Sequence, residues 1–223
     1  MTQTDPGYFC QERVFDELTM ADLRDALERA DLSRTKAGAR HVLRVPAVRD
    51  LAHHSSLISL AGLFVGTDPV PFRATLFDKS ATSNWLVAWH QDTALPVRQR
   101  NADPGWGPWS MKGGVLHAIA PGSALSAVVA LRVHLDDSSS TNGPLRVLPG
   151  THVDGVLSHD EIQRRAQTIA AVECLASVGG VMAMRPLLVH ASSKSRDDRP
   201  RRVLHIEYAA TLQFGPGIEL AVG

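Results

Sequence analysis

The spacing of apolar residues changes character once along this chain, near residue 70. Ahead of that point the period is helical. Leu23, Ala26, Leu27 and Ala30 form one stripe, leaving Asp25, Glu28 and Arg29 for solvent. Thr19 precedes the stripe and Asp22 follows three residues on, a capping-box spacing that predicts the helix start. Residues 32–45 contain Gly38 and predict a loop with a short strand. A second helical region follows Pro46. Its clearest stripe is Leu57, Leu60, Ala61 and Phe64, and Gly66 stops it. His53 and His54 fall between the two turns of this region without an acidic partner at ligand spacing, so they are expected at a surface or a helix end.

Beyond residue 70 the runs shorten and fill with β-branched and bulky residues. Segments 72–77, 86–92, 115–119, 127–135, 145–148, 172–177, 181–190 and 202–212 predict strands, separated by turn pairs such as Pro121-Gly122, Asn142-Gly143 and Pro149-Gly150. One short helix interrupts them, opened by the capping box Ser158 and Glu161. Helices first and strands afterwards predict a mainly β chain with flanking helices, of the α+β class. The expected form is a single domain: a loose end over 1–12, a helical part over about 13–66, and an antiparallel sandwich or barrel over about 70–212. Segment 93–114 stands out, with Trp106 and Trp109 set among prolines and glycines. A loop of that length is either a lid over a site or a surface wrap pinned by its tryptophans.

Composition narrows the function class. The chain has 223 residues, 44% hydrophobic and 21% charged, which suits a globular domain. Its 23 Lys and Arg balance 23 Asp and Glu, so no net field favours nucleic acid or an anionic membrane. Two cysteines, Cys10 and Cys174, without a Cys-x-x-Cys, exclude a disulfide framework and a structural zinc site. No signal peptide and no apolar run of the ~18 residues a span requires are present. A cytoplasmic protein acting on a small molecule is expected, with its oligomeric state left open.

The candidate chemistry begins in Trp89-His90-Gln91-Asp92. On an extended strand alternate side chains share a face, so His90 and Asp92 point the same way. They supply two thirds of a 2-His-1-carboxylate triad, the arrangement that holds a non-haem Fe(II) and leaves positions open for a 2-oxo acid and O2. His190 offers the third ligand. Arg201, eleven residues later, has the planar fork that grips a carboxylate, and Ser192 offers a hydroxyl to the same group. Counting by twos from Arg201 places Val203, His205 and Glu207 on its face and Leu204, Ile206 and Tyr208 on the other. His205 is therefore a candidate for the cavity wall. His117, His134 and His152 are expected to be structural, and His159 solvated.

The stretches LFDKSATSNWLVAWHQD, VALRVHLDDSSSTNGPLRVLPGTH and LLVHASSKSRDDRPRR together resemble the phytanoyl-CoA dioxygenase family, from about Gly7 to Tyr208. The resemblance implies a double-stranded β-helix (a cupin-like jelly roll) using Fe(II), 2-oxoglutarate and O2. It implies His90, Asp92 and His190 as iron ligands, and Arg201 and Ser192 as binders of the far carboxylate of 2-oxoglutarate. Arg132 and Lys79 are expected near that cosubstrate, and Gln91, Trp106, Trp109 and His205 near the substrate. Hydroxylation of a small organic metabolite, with succinate and CO2 released, is the expected reaction. Asp92 in place of a small residue disfavours halogenation. The alternatives are a cupin-like metal enzyme that uses no 2-oxo acid, and a non-catalytic ligand-binding or sensor protein on the same barrel.

Overall fold

The computed structural model describes residues 5–80 and 83–223. After strand β1 (Tyr8–Gln11) the first helix, α1 (Glu17–Arg29), starts earlier than the capping-box spacing predicts. Asp16 is its N-cap, and the Asp16 carboxylate accepts from the Thr19 amide at 2.8 Å, so Thr19 lies inside the first turn. An aspartate one turn upstream makes the better cap because its charge also meets the positive end of the helix. Met20, Leu23 and Leu27 are its buried stripe. Segment 32–45 holds a small hairpin, β2 (Arg34–Thr35) and β3 (Gly38–Arg40), then a single 3-10 turn. Helices α2 (Pro46–Ala52) and α3 (Ser55–Val65) follow. Both histidines serve helix ends: the His53 ring bonds the Arg49 carbonyl at 2.8 Å, and His54 accepts from the Ser56 amide at 3.2 Å.

The strand region comprises β4 (Val70–Lys79), β5 (Val87–His90), β6 (Ala94–Pro96), β7 (Trp109–Lys112), β8 (Val115–Ile119), the short helix α4 (Gly122–Ser126), β9 (Val128–His134) and β10 (Leu145–Val147). Helix α5 (His159–Thr168) starts at the expected Ser158–Glu161 capping box. It leads to β11 (Val172–Cys174), β12 (Val181–Met184), β13 (His190–Ser192), β14 (Arg201–Ala209), β15 (Gln213–Gly215) and β16 (Ile218–Glu219). Two expectations change. The run 181–190 is two strands, β12 and β13, in different sheets; Pro186 lacks the amide a continuing ladder needs, and the chain turns the corner there. The long loop 93–114 contains β6 and β7, which pair with β8 in a three-stranded sheet.

A seven-stranded sheet, ordered β1-β12-β9-β14-β4-β3-β2, faces a four-stranded sheet, β11-β10-β13-β5, in jelly-roll fashion. Their pairings are antiparallel and neither sheet closes into a barrel. Ile162 of α5 packs beside Val189 and Trp89 near the smaller sheet, whereas helices α1, α2 and α3 cover the outer face of the larger one. Leu204, Ile206 and Tyr208 of β14 point outward into that layer with Leu23, Val48 and Leu57. The Tyr208 hydroxyl donates to the Ala52 carbonyl at 2.8 Å. Each leucine-sized side chain buried here contributes roughly 1.5–3 kcal/mol, which anchors the central strands and leaves their inner face for polar residues. Among the described residues, no helix is long and apolar enough to cross a membrane.

Candidate metal and anion site

His90 closes β5 and His190 opens β13, and the two are directly opposite in the ladder, with ring centroids 4.2 Å apart. The register slips between His190 and Ser192, where β5 advances by three residues and β13 by two. Such an irregularity re-aims side chains next to a site. The strand stops at His90 instead of running on to Asp92. Asp92 is fixed by its amide, which donates to the Pro186 carbonyl at 2.9 Å. Its carboxylate oxygens stand 3.7 Å from His90 Nε2 and 3.6 Å from His190 Nε2. Those gaps are too long for hydrogen bonds, but donors sharing an ion at roughly 2.0–2.2 Å must stand a few ångströms apart.

Protonation suits metal binding as well. His90 Nδ1 donates to the Ala88 carbonyl at 2.8 Å and His190 Nδ1 to the Leu188 carbonyl at 2.9 Å, which leaves Nε2 of each ring as the free lone pair. Burial pushes His190 down to about 4, against the pull of Asp92, so the imidazole is neutral at pH 7. Burial raises Asp92, yet His190, His205, His90 and Arg73 outweigh it and hold the carboxyl at about 2. Two imidazole nitrogens, an ionised carboxylate and no thiolate are the donor set of a borderline ion such as Fe(II). The side chains of His90 and Asp92 are 39% and 34% exposed and that of His190 6%, so the triad opens on one side to solvent.

Behind the triad lies a cavity of about 120 Å³ lined by both sheets. Phe77, Trp85, Val87 and Leu145 form its apolar walls; Arg132, Arg201, Ser192 and His205 bring polar atoms. Arg201 and Lys79 are cross-strand partners on β14 and β4, only 3% and 1% exposed. Arg201 Nε donates to the Asn142 carbonyl at 3.2 Å, whereas its buried Nη1 has no partner. Lys79 donates to Ser192 Oγ at 3.0 Å and to the Ser193 carbonyl at 2.5 Å. Arg132 pairs in register with His205 and donates to its Nδ1 at 3.2 Å, while Arg132 Nε has no partner.

No ion pair among the described residues includes Lys79, Arg132 or Arg201. Burial lowers all three. Lys79 falls to about 7, with Arg201 and Arg132 adding repulsion; Arg201 falls to about 9; Arg132 falls to about 10, partly offset by Asp92. Buried cations without a counter-charge are costly, so this cluster has the electrostatics of an anion site.

The sequence-predicted residues divide clearly. His90, Asp92, His190, Ser192, Arg201, Arg132 and His205 all line the cavity, and Lys79 stands directly behind Ser192. Gln91 does not line it. Alternation turns its amide to the opposite side, where it donates to the Gly155 and Leu187 carbonyls and accepts from the Leu157 amide. Trp106 packs in a second core with Leu95, Val97 and Leu125, its ring 6.1 Å from that of Phe214, and Trp109 lies beside Arg100. Neither tryptophan lines the cavity; the apolar surface of β6 and β8 captures them instead. Trp85, whose ring carries the Lys79 ammonium at 5.1 Å, is an aromatic wall that sequence reasoning missed.

Also missed is Arg73, paired across the ladder with Glu207 on the inner face. Its second contact, from Nη1 to the Ala94 carbonyl at 3.3 Å, braces the chain just past Asp92. Counting by twos from Lys79 reaches Arg73 and would have exposed it. His117 and His134 are buried and pushed by burial to about 4 and about 3; His117 Nδ1 bonds the Val115 carbonyl at 3.0 Å, while His117 Nε2 and both His134 nitrogens have no partner.

Solved structures share this fold. AviO1 from Streptomyces viridochromogenes Tue57 is 24% identical, with 97% of this chain and 93% of that chain covered and a TM-score of 0.66. EctD from S. alaskensis, solved with 2-oxoglutarate and 5-hydroxyectoine, is 19% identical over 95% of this chain and 79% of its own, with a TM-score of 0.70. SnoK, described as a non-heme alpha ketoglutarate dependent carbocyclase, is 16% identical over 98% of this chain and 90% of its own, with a TM-score of 0.71. Among curated proteins nothing matches. The family model of phytanoyl-CoA dioxygenase matches residues 4–203, a span that includes His90, Asp92, His190, Ser192 and Arg201. The chain belongs to the phytanoyl-CoA dioxygenase family.

Proposed function

We propose that this protein is an Fe(II)- and 2-oxoglutarate-dependent oxygenase that hydroxylates a small organic molecule. One observation carries the proposal: a metal-type His90, Asp92, His190 cluster and an uncompensated buried cation cluster share a single cavity. His90, Asp92 and His190 would hold the ion. Arg201, with Nη1 free, and Ser192 would hold the far carboxylate of the cosubstrate, with the Lys79 charge behind them. When bound, the iron would supply a centre at which O2 is the oxidant and 2-oxoglutarate the two-electron co-reductant, itself converted to succinate and CO2.

The chain's own contribution is binding and shielding. Phe77, Trp85 and Leu145 give the cavity apolar walls, and the lower local polarity strengthens the charge pairing inside it. His205, pushed by burial to about 3 with Arg132 adding to the effect, stays neutral and accepts from Arg132, so that guanidinium is aimed without another charge. The exposed side of His90 and Asp92 leaves the substrate its way in. Gln91 locks the segment between the two ligands onto three backbone groups.

The test is O2-dependent formation of succinate from 2-oxoglutarate in the Fe(II)-loaded protein supplied with metabolite pools, with products followed by mass. Gain of one oxygen atom supports hydroxylation. A product of unchanged mass, or lacking two hydrogens, would assign epimerisation or ring closure to the same centre, a second reading favoured by the carbocyclase among the structural neighbours. A metal-loaded protein that fails to bind 2-oxoglutarate refutes the cosubstrate assignment.

A further inference from the structure

We propose that the Asn142–Gly143 turn is a positioning element for the far carboxylate of 2-oxoglutarate, and that position 143 admits only glycine. The proposal rests on the cavity being a 2-oxoglutarate site and adds the part that aims its anchor. Two consecutive carbonyls of this turn point at the two anchor residues. The Asn142 carbonyl accepts from Arg201 Nε at 3.2 Å, and the Gly143 carbonyl accepts from Ser192 Oγ at 3.0 Å. The first bond fixes one edge of the guanidinium and leaves the free Nη1 for a ligand. The second sets the hydroxyl. Lys79 already donates into Ser192 Oγ, so the single hydroxyl proton goes to a backbone carbonyl (Gly143 at 3.0 Å, with Ser193 a longer alternative at 3.4 Å) or to a bound anion.

The turn is itself held from behind. The buried Asn142 side chain accepts from the Ser139 amide at 2.9 Å and donates to the Asp137 carbonyl at 2.8 Å. Gly143 has φ +70°, and a Cβ there would stand 2.4 Å from the Ser193 carbonyl oxygen and 3.1 Å from Lys79 Nζ. The closer obstacle is backbone and cannot rotate away. Any side chain at 143 therefore parts the turn from residues 193–194 and carries the Ser192 and Arg201 acceptors with it. Gly217 isolates the conformational part of this cost: its φ is +72°, yet a Cβ added there would meet no atom within 4 Å.

The test is calorimetric titration of the Ni(II)-loaded full chain with 2-oxoglutarate and with 2-oxobutyrate, which has the same 2-oxo acid end but no far carboxylate. The wild type is expected to prefer 2-oxoglutarate by about 10-fold or more, the factor a charge-assisted hydrogen bond represents. Gly143→Ala should lose most of that preference while its affinities for 2-oxobutyrate and Ni(II) stay at the wild-type level, and Gly217→Ala should keep the preference. Should Gly143→Ala fail to fold, Asn142→Ala releases the turn without the backbone clash and is expected to show the same selective loss. Retention of the full preference in the folded variant overturns the proposal. So does an equal weakening toward both acids, the mark of general distortion. A wild type without any preference refutes the cosubstrate reading itself.

Discussion

Arg201→Gln separates the two halves of the site most sharply. The substitution keeps hydrogen-bond donors and removes the charge from a side chain that is 3% exposed and has a free Nη1. A hydrogen bond involving a charged group is worth about 1.5–3 kcal/mol, so 2-oxoglutarate affinity should fall roughly 10- to 150-fold. The effect is visible in thermal shifts. At a ligand concentration of 100 times Kd, binding stabilises the wild type by about 2.7 kcal/mol. For a chain of this size that is a rise in Tm of about 5–11 °C. With Kd raised 30-fold the same concentration gives about 0.9 kcal/mol and about 2–3.5 °C. Without ligand the sign reverses. Arg201 is lowered to about 9 by burial and by Arg132, so losing its charge relieves a repulsive cluster, and the apo variant should melt no lower than wild type. His190→Ala should behave oppositely, losing the metal first. Unchanged 2-oxoglutarate affinity in Arg201→Gln would refute the anchor assignment, and a collapse of apo stability would refute the electrostatic account.

Four further outcomes follow from the same geometry. Lys79 has its pKa depressed from 10.5 to about 7, first by burial and then by Arg201 and Arg132; the unfolded chain therefore binds more protons between those values, and apo stability should rise with pH across that window and be flat below it. Binding of a dianion favours charged Lys79, so 2-oxoglutarate affinity should weaken as pH rises above about 7, and Lys79→Met should abolish that slope in a calorimetric pH series. Gln91→Ala orphans the Leu157 amide and the Gly155 and Leu187 carbonyls; urea denaturation should show a loss of at least about 1–3 kcal/mol, and metal affinity should drop because His90 and Asp92 flank the position. In hydrogen exchange, the Ala94–Pro96 and Trp109–Lys112 strands should be protected before any ligand is added, and protection that arises only in the loaded protein would restore segment 93–114 as a lid.

What the sequence discloses depends on how local the cause is. The His90/Asp92 pair is legible because a two-residue spacing on extended chain dictates direction, and the faces of β14 are legible for the same reason. The Ser158–Glu161 cap involves four consecutive positions and stands as predicted. Errors arise where distant chain decides. Trp106 and Trp109 fit a lid or a wrap equally well in sequence, and only the apolar surface that β6 and β8 supply beneath them shows where they pack. Segment 181–190 looks like one strand because apolar residues fill it on either side of Arg185-Pro186, and the corner at Pro186 divides it between sheets. Arg73 escapes notice because its partner, Glu207, is remote in sequence, and Trp85 because the wall it completes is shared with remote residues such as Leu145 and His205.

The two halves of the site also differ in mechanical footing. Arg201 rises from β14, which is flanked on both sides by β9 and β4 in the middle of the large sheet. His90 ends β5, a four-residue strand at the margin of the small sheet, joined to β13 by an interrupted ladder. An ion held between His90 and His190 would tie that margin down. Stripped of it, the protein keeps its anion cradle but frays at β5, and a frayed sheet margin is a template for pairing with another molecule. Chelation is thus expected to cost more than turnover. It shortens the shelf life of the sample, with self-association setting in well below the temperature at which the helices melt.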